Sequence, residues 1–295
     1  MTDTTPEKKS FSLKRKDFSF TVTTDSIPRK VSEVIRDAAI EKLEDIARLR
    51  QYCMVEKLKD QGATKYYFYP FSDLGDATEV GEGADFVYDD ADATESVVNI
   101  KKYGKGFQLT WEADHLSKLA IRAAQSKQAV TKVIKKEDSV IVTRLIADAG
   151  STYANPKGVW SSTTADPVQN IRRAKRLIKN KGYEADTLLL NPTNAEELTT
   201  IVSQNLWNGL TEKTVSTGVL PFFMGLKIIE CTEVTEDTAI ILKRGPGGAY
   251  QVGEAMPVSI NMFDDQDKHT TKVQAFERVG IAVVRPDAVC TLTGI

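Results

Sequence analysis

Apolar residues recur at three- and four-residue steps through Val31, Ile35, Ala38, Ala39, Leu43, Ile46 and Leu49. That spacing predicts an amphipathic helix running to about Val55. Asp25 and Ser26 supply its cap and Pro28 suits its first turn. The opposite face (Glu33, Arg36, Asp37, Glu41, Lys42, Glu44, Asp45, Arg48) mixes both signs of charge. Residues 63–71 are rich in aromatics and read as a strand that Pro70 ends or confines to an edge. Residues 97–110 read as a second strand, returning beside the first and bearing Lys101, Lys102 and Lys105. A two-stranded hairpin is marginal in water, so this pair needs a surface to lie on, and one outside its own domain is expected. From Glu112 to Ala149 there is neither Gly nor Pro. Leu116, Leu119, Ala123, Val130, Val133, Ile134, Ile141 and Leu145 mark one side of a helix, about 57 Å long if unbroken. A short helix turning into a longer one is the expected form.

Residues 150–165 read as a loop. Asp166, Pro167 and Gln169 form a helix entry with a capping pattern, and Gly182 stops the helix after Asn180. Residues 187–190 are a short buried strand, and Asn191-Pro192 caps a helix to about Gln204. Residues 205–220 are polar and loop-like. Strand patterns then prevail at 226–230, 239–242, 250–252 and 258–262, with a long pair over 270–285 around Gly280.

Charge changes the picture at two places. The first 24 residues read as an extended or disordered arm in which Lys8, Lys9, Lys14, Arg15 and Lys16 cluster. Its Phe11, Phe18 and Phe20 point to docking rather than simple solvation. Residues 73–95 hold nine acids and no base: Asp73, Asp76, Glu79, Glu82, Asp85, Asp89, Asp90, Asp92 and Glu95. The whole chain is nevertheless balanced, with Lys+Arg 39 against Asp+Glu 41 over 295 residues. That balance argues against a protein whose main task is coating nucleic acid. The absence of a long apolar run or a signal-like start leads to the expectation of a soluble, cytosolic chain that meets no membrane.

Candidate chemistry is sparse. Cys53, Cys231 and Cys290 are far apart and odd in number, which speaks against a disulfide framework or a cysteine zinc site. His115 and His269 are the only histidines. Gly245-Pro246-Gly247-Gly248 lacks the G-K-[ST] ending of a phosphate loop and reads as a tight turn. The acidic stretch does not have calcium-loop spacing. Arg172, Arg173, Lys175, Arg176 and Lys179 could meet phosphate, or form a solvated helix face. No catalytic, cofactor-binding or metal-binding residues are expected.

The order of elements carries more than any motif: polar arm, helix, long strand pair, long helix, α/β module, long β return. This order resembles that of the major capsid proteins of tailed double-stranded DNA viruses, an α+β architecture known as the Hong Kong 97 fold. Residues 102–112 (KYGKGFQLTWE) resemble the family's return strand entering the spine helix. Residues 185–192 (ADTLLLNP) resemble the axial-domain strand and its following helix, and residues 276–288 (FERVGIAVVRPDA) the closing peripheral strands. The resemblance implies an N-terminal arm (1–26), an N-terminal helix (27–61), an extended loop (62–110), and a peripheral domain with spine helix (111–155). An axial domain (156–250) and peripheral return strands (251–295) would follow.

It further implies hexamers and pentamers of this chain tiling an icosahedral shell around packaged DNA, with portal, scaffold and decoration proteins as further partners. Assembly contacts would then fall on Asp73, Asp76, Glu79, Glu82, Asp85, Asp89, Asp90 and Asp92, lying across a neighbour, and on Lys8, Lys9, Lys14, Arg15 and Lys16 of the arm. Some relatives cross-link through a lysine on the extended loop. Residues 72–99 contain none, so no covalent mesh is expected at the tip. About 25 residues precede the first helix, so any scaffold is expected to be a separate protein or unnecessary. Two other readings stand beside this one: an encapsulin-type nanocompartment shell, and a cytosolic α/β enzyme using the hairpin as a dimerisation arm.

Overall fold

The computed structural model describes residues 10–15, 18–24, 49–70, 79–81, 85–86, 88, 95–110, 112–113, 120–156, 158–160, 166–204, 220–245, 247–265 and 269–295. Two six-stranded sheets, one two-stranded ribbon and three α-helices organise these residues.

The first sheet is built on β12 (Tyr250–Asp265) and β13 (Thr270–Val283), paired antiparallel over most of their length. On the far side of β13 lies β6 (Lys101–Thr110), antiparallel from Thr270↔Thr110 to Val279↔Lys101. The other edge of β12 is shared. Its first part pairs with β3 (Met54–Lys57) and its later part with β2 (Phe18–Thr24), both parallel. Between the two partners sits Pro257, which has no N–H to give a ladder, and the register with β13 shifts on either side of Met256. That bulge explains why the pattern suggests two strands at 250–252 and 258–262 where the chain makes one. Likewise residues 270–283 are a single strand running through Gly280, not a pair around it.

Three further expectations change. The arm is more than a solvated coil: β1 (Ser10–Arg15) and β2 form an antiparallel hairpin that extends the first sheet. The first helix does not reach Val55. Leu49–Tyr52 is a 3-10 turn and β3 follows, while residues 25–48 lie outside the described part. The strand pair at 63–110 is shorter than its pattern. Among the described residues only β4 (Lys65–Phe68) and β5 (Ser96–Asn99) pair there, and β6 leaves them to join the first sheet.

The long helix, α1 (Ala120–Ala147), packs under the first sheet. Val130, Val133 and Ile134 meet Val258, Ile260, Met262, Val273 and Ala275. One turn and more further on, Ile141, Val142 and Leu145 meet Val252, Val279, Ile281 and Val283. Residues 112–113 are also helical, and 114–119 lie outside the described part.

The second sheet runs β7 (Ser151–Ala154), β14 (Val289–Thr293), β11 (Thr238–Leu242), β8 (Thr187–Leu190), β10 (Leu226–Glu230) and β9 (Phe222–Phe223). β7 lies in the stretch expected to be loop. Its place beside β14 is set by a long-range pairing that local sequence cannot announce. All four residues of β8 are buried because the sheet is covered on both faces. One face packs on α1 and the first sheet through Leu189, Ile229, Ile240 and Val289. The other packs on α2 (Pro167–Asn180) and α3 (Pro192–Gln204), where Ile171, Ala174, Ile178 and Leu198 meet Leu188, Leu190, Ile241 and Leu292. The entry to α2 is as its sequence indicates: the Gln169 N–H donates to Asp166 Oδ1 at 2.9 Å. Past its end, Gly182 takes φ +82°, a conformation glycine adopts without strain. Gly245–Gly248 is indeed a tight turn, closed by Gly248 N–H donating to Gly245 O.

Candidate assembly surfaces

The ribbon β4–β5 lies across the first sheet on the face opposite α1. Alternation along β13 makes this visible: Val273, Ala275, Val279, Ile281 and Val283 face the helix, while Ala282 and Gly280 face the ribbon. Tyr66 is the anchor, 1% exposed and packed with Ile100, Ala255 and Ala282. Two glycines make room for it. A β-carbon on Gly253 would stand 2.6 Å from the Tyr66 ring, and one on Gly280 would stand 3.3 Å from Tyr66 Cβ. The Tyr66 hydroxyl donates to Glu56 Oε2 at 2.9 Å, and burial with that carboxylate alongside raises its pKa. Arg278, on the same face, donates to the carbonyls of Gln61 (2.7 Å) and Ala63 (2.9 Å), pinning the strand's entry. The base of the hairpin is therefore buried on its own chain, contrary to the expectation that it would need a surface elsewhere.

Beyond that base the loop is polar with apolar exceptions. Glu79, Asp85 and Glu95 are exposed, and Tyr69 Oη donates to Glu95 Oε1 at 3.4 Å. Phe86 and Tyr88 are 68% and 87% exposed. Asp73, Asp76, Glu82, Asp89, Asp90 and Asp92 lie outside the described residues, as do Lys8, Lys9 and Lys16. Lys14 and Arg15 belong to β1, opposite Ser19 and Phe18 of β2.

A buried ionic cluster, not singled out by sequence, ties these layers together. Arg50, 4% exposed, donates from Nε to Glu137 Oε1 of α1 (2.6 Å), from Nη1 to Glu254 Oε2 of β12 (2.5 Å), and from Nη2 to Glu277 Oε2 of β13 (3.4 Å). Its neighbour Leu49 donates its N–H to Asp138 Oδ1 and accepts from the Tyr250 hydroxyl. The carboxylates around Arg50 raise its pKa against the opposing effect of burial. The signal was present in the sequence. Glu277 interrupts the inward alternation of β13, and Glu137 falls on the apolar stripe of α1 between Ile134 and Ile141. Charged residues at core positions mark a buried pair.

The basic helix α2 exposes Arg172, Arg176 and Lys179 beside a shallow cleft of about 300 Å³ that Glu184 also lines. Lys175 is committed to the Met224 carbonyl at 2.9 Å, and Arg173 donates to the Tyr153 hydroxyl at 2.7 Å. Among the described residues no group of His, Cys, Asp and Glu could hold a metal ion. No described helix is long and apolar enough to cross a membrane.

A long helix under a sheet that carries a docked hairpin, joined to a second sheet with its own helices, is the Hong Kong 97-like capsid fold. Solved structures bear this out. A virus-like particle from Pyrococcus furiosus matches with TM-score 0.61 and 15% identity over 88% of this chain and 98% of that one. The capsid of cyanophage P-SCSP1u matches with TM-score 0.64 and 13% identity over 84% and 88%. The capsid of an empty GTA particle matches with TM-score 0.65 and 13% identity over 84% and 89%. No curated protein matches by sequence. Residues 93–292 match the family model described as phage capsid protein, and the chain belongs to that family. It is a structural protein of the virion capsid.

Proposed function

We propose that the chain forms hexamers and pentamers that close an icosahedral head around packaged double-stranded DNA, assembling in the host cytoplasm without catalysing a reaction. Portal, scaffold and decoration proteins are its other partners. The acidic loop 73–95 lies over a neighbouring subunit, with Asp73, Asp76, Glu79, Glu82, Asp85, Asp89, Asp90 and Asp92 meeting cationic side chains there. Lys8, Lys9, Lys14, Arg15 and Lys16 make further contacts between subunits or at the inner surface. The observation that carries this reading is the exposure of Phe86 and Tyr88 within the acidic loop. Large apolar side chains held in water beside charges are what a partner surface presents. Many such modest contacts sum to a stable shell through multivalency.

Electron microscopy and sedimentation of the purified full-length protein test it. Closed particles of uniform diameter are expected, and Phe86→Ser with Tyr88→Ser should cut their yield while the subunit stays folded. A protein that remains monomeric or dimeric at every concentration would overturn the proposal.

A further inference from the structure

Charge is sorted across α1. The helix carries Arg122, Lys127, Lys132, Lys135, Lys136 and Arg144 against two acids, Glu137 and Asp138. Both acids are buried, one on Arg50 and the other on the Leu49 N–H. Lys132, Lys135, Lys136 and Arg144 are exposed, so the charges that α1 shows to solvent are all positive. Arg144 stands 3.8 Å from Asp148, one turn on. Lys132, Lys135 and Lys136 fall at i, i+3 and i+4, on one side of one turn, and none of the three is ion-paired among the described residues. A solvated helix face ordinarily mixes both signs, and this one does not.

The second observation is sidedness. α1 underlies one face of the first sheet, and the ribbon leading into the acidic loop lies on the other. One face of the first sheet is thus covered by a helix whose exposed charges are basic, and from the other the acidic segment departs. A wall one tile thick that encloses a polyanion is stable with the basic side inward and strained the other way round. About 5.4 Å of helix, one turn, spans about three phosphate charges of a duplex at about 1.7 Å of axis each. The spacing of three lysines on that turn suits such a partner. The basic face of α2 is the weaker candidate, since its cleft includes Glu184 and Lys175 is already spent on a carbonyl.

We propose that the exposed face of α1 lines the shell interior, and that Lys132, Lys135 and Lys136 contact the phosphate backbone of enclosed duplex DNA without reading its sequence. This rests on the shell reading above and names the surface that serves it.

The test measures binding of full-length subunits to short fluorescent duplexes of two unrelated sequences across a salt series. Both duplexes should bind alike. Replacing the three lysines by Gln, a comparable helix former, should lower the slope of log K against log salt by roughly 2–3, about 0.9 for each phosphate no longer neutralised. Each single Lys→Gln should lower it by about 0.9, and Lys→Arg at all three sites should restore it. The α2 variant Arg172→Gln/Arg176→Gln/Lys179→Gln should keep the wild-type slope. An unchanged slope in the triple variant, a loss confined to the α2 variant, or loss of polyglutamate binding with DNA binding intact would each overturn the assignment. The last result would give the face to an acidic protein. Particle formation is scored separately by microscopy: if wild-type chains form no particles, the shell reading fails, whereas intact particles with an unchanged slope remove only this assignment.

Discussion

Arg50 shows how one side chain can hold three elements in register. Its guanidinium reaches α1, β12 and β13 at once, and each carboxylate it meets is almost fully buried. Such a cluster is weak as a source of net stability but costly to break, because the remaining charges stay in a poorly polarisable interior. Arg50→Ala should therefore lower subunit stability by about 3–5 kcal/mol, read from urea denaturation. An effect below about 1 kcal/mol, the size of an exposed pair, would show that the cluster is solvated. Beside it, burial and the charge of Glu137 push the Cys53 thiol up from 9.0 to about 12, and burial pushes Cys290 up to about 11. A raised thiol pKa means the fold tolerates the neutral form. The associated stability is whole below about pH 9 and declines as pH climbs from there through 11 and 12. Denaturation midpoints should fall between about pH 9 and 11 in the wild type, and fall less in a Cys53→Ala/Cys290→Ala variant.

At the scale of elements, what could be read in advance was whatever local chemistry dictates. Asp166 and Gly182 bracket α2 because a cap and a left-handed stop are written in neighbouring residues. The run Thr187–Leu190 announced a strand covered on both faces. The misreadings have a common cause in pairing at long range. Residues 97–110 look like one strand, yet β5 pairs with β4 while β6 pairs with β13, 160 or more positions away. β7 is four residues long and polar in half its positions, and only β14 makes it a strand. The docked ribbon depends on a contact of the same kind. Gly253→Ala should cost about 1–3 kcal/mol by forcing a methyl into the Tyr66 ring. In a Tyr66→Ala background the same change should cost much less, since the obstructing ring is gone. A double-mutant cycle on thermal unfolding checks this, and additive effects would disprove the close packing.

For the whole molecule, the ribbon base is a built-in part of the subunit, and Phe86 and Tyr88 in the segment beyond it are exposed. Deleting 73–95 should then abolish particle formation while leaving the circular dichroism and unfolding midpoint of the subunit close to wild type. Loss of soluble folded protein would show instead that the loop stabilises its own chain. Because residues 72–99 contain no lysine, mature particles should run as monomers on denaturing gels, and a ladder of covalent oligomers would contradict that. The sequence alone determined the class of the architecture, the long glycine- and proline-free helix, the capped helices of the second sheet and the acidic loop, since each depends on residues adjacent in the chain. Only the tertiary structure decided that the arm adds strands to the main sheet, that Tyr66 is buried over two glycines, and that Glu137 and Asp138 of α1 turn inward, to Arg50 and the Leu49 N–H, while Lys132, Lys135 and Lys136 remain in water. Those outcomes depend on which distant surfaces meet, and burial assigns the cost of every charge only once they have met.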